Sequence, residues 1–295
     1  MRPVIFDTDI GTDVDDILAL VLLAKAPELN LLGITTVYGD TNFRARIARR
    51  TTQMLGRDEI KIVPGEGRPR SGRQVYWAGH EGEGIPDLDA VEIEQGQSGP
   101  AYISETAEAL NGELEVIATG PLTNIGRAIT EAPASWTKIK HLYIMGCAFW
   151  MPGAEHNIKC DAEAARVVFA SGVPTTVISL DLTTRVWLGP NELSRIAALP
   201  NGLGPMLENQ LIRWWEYCHG QGSSPHDPLA ALAMVRSDLF RFENRDIEVH
   251  DEPSAPGFTR LTNRGAGKIR IGVDVFARTA EQEIVARIAA GKATN

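Results

Sequence analysis

Five aspartates fall within ten consecutive positions near the start of the chain, Asp7, Asp9, Asp13, Asp15 and Asp16 in FDTDIGTDVDD (6–16). Carboxylates at this density repel one another unless a cation neutralises them or some keep their protons. The stretch lies between PVIF, short and β-branched like a buried strand, and DDILALVLLAKA, long enough for a core helix. It therefore reads as a strand-to-helix turn, in which Gly11 supplies backbone freedom. Asp15 and Asp16 fall at the helix start, where carboxylates cap free N–H groups and meet the positive end of the dipole. Capping accounts for one or two of the five. The others make either a solvated acidic turn or a cation site.

The elements that would position this turn alternate between strand and helix. Strand patterns occur at 31–37, 61–64, 114–120, 141–146 and 174–180, with helical patterns near 43–55, 101–111, 124–131 and 162–171. This alternation predicts an open, mostly parallel α/β sheet covered on both faces. The C-terminal third adds helices near 192–198, 203–217 and 228–236, short strands at 246–250, 258–263 and 268–275, and a helix from about 279. No repeat or linker divides the chain, so residues 1–295 read as one domain. In such sheets ligands bind beyond the carboxyl ends of the strands. That rule selects the acidic turn, YGD (38–40), TGPLTN (119–124) and MGCAFWMPGAEHN (145–157).

The composition is 43% hydrophobic with a net charge of −9, which argues against nucleic acid or an anionic membrane as the main partner. The chain enters its first strand without signal-peptide features, and no apolar run reaches membrane-spanning length. Cys147, Cys160 and Cys218 lack metal-ligand spacing and read as ordinary buried thiols in a reduced, cytoplasmic setting.

Taken in order, DTDIG…DD, TTVYGD, GHEGEGI, TGPLTN, YIMG, AEHNIKCDAEAA and SPHDPLA resemble the inosine-uridine-preferring nucleoside hydrolase family across most of the chain. The resemblance implies a nucleoside hydrolase fold and hydrolysis of the N-glycosidic bond of ribonucleosides around bound calcium. It further implies a role in purine and pyrimidine salvage and a homodimer or homotetramer. By the same resemblance Asp9 is the general base, and Asp9, Asp16, the Thr123 carbonyl and Asp227 hold the metal. Asp15, Asp227, Glu155 and Asn157 would address the ribose, and Met145 in YIMG the substrate. The family motif has one residue between its glycine and its aspartate pair, whereas three stand here. Aligned on the strand instead of the helix, Asp13 takes the site position. His226 in HDP would be the acid that protonates the leaving base, or a neighbour that positions Asp227.

Other residues have competing readings. Asp40 replaces a frequent family asparagine and would add a carboxylate near the attacking water. His80 lies near the base pocket or is simply solvated. Trp150, Trp187, Trp214 and Trp215 could stack on a base, although the last pair reads as core or interface. Base contacts are expected from loops around 75–90 and 210–226. Arg44, Arg46, Arg49 and Arg50 in RARIARR spread around a helix and read as a solvated face. Two other functions fit the acidic turn: a haloacid-dehalogenase-type phosphatase with an aspartate nucleophile, and a calcium-dependent nucleoside- or sugar-binding protein without turnover.

Overall fold

A computed structural model of the chain describes residues 1–200, 202–252 and 255–290. The strands are β1 Arg2–Thr8, β2 Leu29–Thr36, β3 Lys61–Pro64, β4 Glu115–Ala118, β5 His141–Met145, β6 Thr175–Ile178, β7 Phe240–His250, β8 Phe258–Thr262 and β9 Ile269–Val275. Among the described residues they form one sheet in the order β3-β2-β1-β4-β5-β6-β9-β7-β8. Neighbours from β3 to β9 are parallel, while β7 runs antiparallel to both β9 and β8.

Successive residues of β1 feed opposite layers, as the two-residue strand period requires. Val4 and Phe6 pack with the helices Asp15–Lys25, Thr41–Met54, His226–Val235 and Ala277–Ala289. Ile5 packs with Gly99–Leu110, Thr123–Glu131 and Ala162–Ala170 on the other face. All three side chains are fully buried, which explains why PVIF is apolar throughout instead of alternating.

Each of the first six strands, and each helix expected between them, lies within a few residues of its place, and the short helices Pro133–Trp136 and His156–Cys160 are additional. The last third differs. β7 begins at Phe240, well before 246, and β9 inserts beside β6 to extend the parallel sheet. Polar residues at half-buried positions in FRFENRDIEVH hide that strand from a hydropathy pattern. The strand order reverses at β1, with β2 and β3 on one side and β4 to β6 on the other. The loops after β1 and β4 therefore part, and a crevice opens above them.

Candidate active site

The crevice is a cavity of about 310 Å³ whose floor includes Asp9, Asp15, Asp16, Thr119, Asn157 and Asp227. Asp15 and Asp16 open the Asp15–Lys25 helix. Asp15 Oδ1 accepts the Asp16 N–H at 3.1 Å, one of the free N–H groups of the helix start. The Asp15 N–H donates to Asp13 Oδ1 at 3.2 Å, and the Asp227 N–H donates to Asp15 Oδ2 at 3.1 Å. Asp16 Oδ1 accepts from the Thr8 hydroxyl and, at 3.0 Å, from the Thr119 hydroxyl. Two strand ends thus fix Asp16. Gly120 makes the close approach possible, because a Cβ there would stand 2.7 Å from Val37 Cγ1 and 3.0 Å from Asp9 Oδ1.

Asp7 serves the scaffold. Its Oδ1 accepts from Thr35 Oγ1 at 2.5 Å and Asn124 Nδ2 at 2.6 Å, which joins β1, β2 and the Thr123–Glu131 helix. It is fully buried, and burial pushes its carboxyl up to about 7. A phosphatase nucleophile would have to face substrate, so the haloacid-dehalogenase reading fails here.

The sugar-facing candidates converge as well. Met145, Glu155, His156 and Asn157 all line the cavity. Glu155 caps the short helix His156–Cys160 and accepts N–H groups from Asn157 at 2.7 Å, Ile158 at 3.0 Å and Cys147 at 3.2 Å. Asn157 Nδ2 donates to the Thr119 carbonyl at 2.6 Å. Cys147 adopts a left-handed φ of 72°, a conformation in which glycine is ordinarily favoured.

Thr123 is placed differently from expectation. Its hydroxyl donates to Asp161 Oδ2 at 2.7 Å, away from the cavity, and as the first residue of a helix its carbonyl serves the helical ladder. Thr119, at the other end of the same TGPLTN motif, lines the cavity instead. The missed signal is the strand end, since the loop residue directly after β4 faces the crevice. Asp40 is also displaced: it is exposed and caps the Thr41–Met54 helix, accepting the Phe43 N–H at 2.9 Å. His80 Nε2 pairs with the Thr12 carbonyl at 2.9 Å, so the ring supports the acidic turn.

Aromatic rings close the upper wall. Tyr76, Trp214 and Tyr217 line the cavity, Trp214 and Tyr217 stack at 5.5 Å, and the Tyr76 and Tyr217 hydroxyls hydrogen-bond across the opening. Both expected segments therefore reach the cavity, although Trp214 and Tyr217 stand on the Leu203–Tyr217 helix and not on a loop. Trp215 is core, with Nε1 donating to Ser223 Oγ at 3.1 Å, while Trp150 and Trp187 are exposed. Of the cysteines, Cys147 and Cys160 are buried, but Cys218 is exposed. His156, which the sequence reading passed over, stands edge-on to Tyr38 and Tyr76 at 6.2 and 6.3 Å. Only its position between Glu155 and Asn157 could have flagged it.

Electrostatics identify what the floor needs. Burial raises the carboxyl pKa of Asp9, Asp13, Asp15, Asp16 and Asp227. Neighbouring carboxylates add to the rise for all except Asp9, and Asp15 reaches about 7. Carboxylate oxygens of Asp15, Asp16 and Asp227 lie within 4.8 Å of one another, close enough to share one ion. The donor set is all oxygen, which suits a hard cation. Asp13 lines the cavity but stands outside this triad, which favours the helix register over the strand register. His226 also lines the cavity: Nδ1 engages Thr183 Oγ1 at 2.7 Å, and burial pushes the imidazole down to about 4.

Known proteins similar to this chain include nucleoside-cleaving enzymes. Residues 4–287 match the profile of the inosine-uridine preferring nucleoside hydrolases. The chain is 31% identical over 274 residues to uridine nucleosidase 1 of Arabidopsis thaliana, covering 87% of this chain and 81% of the relative. It is also 31% identical over 273 residues to the pyrimidine-specific ribonucleoside hydrolase RihB of Shigella flexneri, covering 88% and 86%. The solved purine-preferring ribonucleoside hydrolase from Gardnerella vaginalis superposes with a TM-score of 0.86 at 27% identity, over 98% of each chain. An acidic, oxygen-lined cavity at the switch point of this sheet thus accompanies a match over nearly the whole chain, which belongs to the inosine-uridine preferring nucleoside hydrolase family, enzymes that hydrolyse the N-glycosidic bond of ribonucleosides.

Proposed function

We propose that the chain cleaves ribonucleosides to free base and ribose at this cavity, with Asp9 as general base and calcium as its metal. The observation that carries the reading is the buried Asp15, Asp16 and Asp227 cluster beside Asp9 in a nucleoside-sized cavity. Asp9, Asp16, Asp227 and the Thr119 carbonyl would hold the ion, with Thr119 taking the place first given to Thr123. Asp15 and Asp227 would also reach the ribose hydroxyls. Calcium suits a flexible set of carboxylate and carbonyl oxygens better than magnesium or zinc. Held by these residues, the metal would supply Lewis acidity for activating water and a fixed charge for orienting the sugar diol.

The protein's own groups do the rest. Asp9 takes the proton of the attacking water. The ring of carboxylates favours the positive charge that builds on the sugar as the bond to the base breaks. Glu155 and Asn157, both locked by backbone partners, orient the ribose. Tyr76, Trp214 and Tyr217 offer ring faces and edges to the base and exclude water.

Burial disfavours the charged form of His226, so we assign it a hydrogen-bond role toward the departing base through Nε2, with Thr183 holding the other nitrogen. His226→Ala should lower kcat by about a hundredfold, unequally for purine and pyrimidine nucleosides. Full activity should persist above the ordinary histidine pKa of 6.5, where an imidazolium acid would lose its proton. Steady-state rates for inosine and uridine across that range check both points, and an equal loss for all bases reduces His226 to a support for Asp227.

A metal titration tests the ligand set. Asp16→Ala should abolish calcium binding, whereas Asp13→Ala should leave it largely unchanged. Isothermal titration with the reverse ranking would assign the site to Asp13. Product analysis tests the reaction itself: incubation with uridine and inosine should release free base and reducing sugar in equal amounts. Tight nucleoside binding without release would favour the binding-protein reading.

We propose a cytoplasmic homodimer or homotetramer working in nucleoside salvage. Among the described residues no helix is long and apolar enough to cross a membrane.

A further inference from the structure

Arg44 is the largest fully buried side chain among the described residues, 1% exposed, although its neighbours in RARIARR made it look like part of a solvated face. Its guanidinium spends itself on the acidic turn. Nε donates to the Tyr38 carbonyl at 2.6 Å, Nη1 to the carbonyls of Asp9 and, at 2.9 Å, Ile10, and Nη2 to Thr12 Oγ1 at 3.2 Å. The guanidinium carbon stands over the Trp77 ring, 4.9 Å from its centroid. Among the described residues no carboxylate forms an ion pair with Arg44, so its buried positive charge is met by carbonyl and hydroxyl oxygens and the Trp77 ring. Such a charge is costly to bury. Its location is explained by the excess of carboxylates in the acidic turn it grips.

The contact continues outward. Thr12 accepts from Arg44 and donates its own hydroxyl to Glu81 Oε1 at 3.0 Å. Glu81, nearly buried, also accepts the Ala78 N–H at 2.8 Å and the Gly79 N–H at 2.7 Å. His80, its neighbour, pairs with the Thr12 carbonyl. One rigid fork thus ties the backbone of Asp9 to the loop that carries Tyr76 on the cavity wall.

We infer that Arg44 is a positioning residue for hydrolysis, holding the main chain of Asp9 in place and, through Thr12 and Glu81, coupling the acidic turn to the loop over the substrate. This rests on the assignment of Asp9 as a site residue. A displacement of about 1 Å at such a group costs on the order of a hundredfold in rate. Arg44→Met should therefore lower kcat by about a hundredfold with KM changed less than about threefold, and weaken calcium binding about tenfold. Arg44→Lys restores the charge but not the fork, and should recover only part of the loss. Thr12→Val removes the relay alone and is expected to cost about tenfold in kcat, with the double variant no worse than Arg44→Met.

Steady-state kinetics, calcium titration and thermal unfolding of these four proteins beside the wild type decide the matter. Non-additive losses in folded variants support the inference. Unchanged kcat in Arg44→Met, full rescue by lysine, or independent multiplicative losses overturn it. Should Arg44→Met fail to fold, Thr12→Val and Glu81→Gln carry the test, and a loss in neither kcat nor calcium affinity would overturn the coupling. The calcium titration needs no turnover, so it tests Arg44 even if the wild type proved inactive on nucleosides.

Discussion

Asp9→Asn is expected to lower kcat for ribonucleoside cleavage by about a thousandfold at saturating calcium, with a far smaller change in KM. The substitution keeps the shape of the side chain, and the Asp9 carbonyl still accepts from Arg44. What it removes is the carboxylate proposed to accept the water proton. Because asparagine still offers an oxygen, metal binding should weaken without disappearing, so rates must be compared at calcium levels that fill both proteins. A loss under about tenfold would remove Asp9 from the role of base.

The second large effect concerns the sugar. Glu155 and Asn157 are buried, and each is fixed by backbone hydrogen bonds before any substrate arrives. A site built to hydrogen-bond a hydroxyl leaves its own polar groups unpaired when the hydroxyl is missing. 2′-Deoxynucleosides should therefore be poorer substrates by about a hundredfold or more, mainly in kcat. Base identity should matter less, because stacking on Tyr76, Trp214 and Tyr217 tolerates different rings. Paired kinetics on uridine and 2′-deoxyuridine check this, and equal turnover would displace recognition from the ribose.

Much of the site was legible before any coordinates. Asp15 and Asp16 announce themselves because a strand pattern and a helix pattern meet there, and the switch-point rule then chooses the other loops. Asp227 is more than two hundred residues away from them, and no local pattern joins the two; only the ordered set of motifs did. Thr119 was missed because TGPLTN offers two threonines, and the choice depends on where β4 ends and the next helix begins. Asp40 shows the opposite ambiguity. A carboxylate before a helix looks the same whether it faces a ligand or caps an N–H group, and here it caps Phe43. Arg44 was beyond reach of the pattern, since its burial depends on carbonyl groups from a turn more than thirty residues earlier. β7 was shortened for a similar reason: its polar positions are tolerated by a strand lying beyond the parallel core of the sheet.

The proposed mechanism calls for a cation among the carboxylates of the cavity floor, and removing that cation is the most direct challenge to it. Purified protein should carry about one calcium ion per chain. After dialysis against a chelator, release of base and ribose from uridine or inosine should cease, and calcium alone should restore it. Full ribose release by the metal-free protein, or recovery with zinc but not calcium, would contradict the assignment.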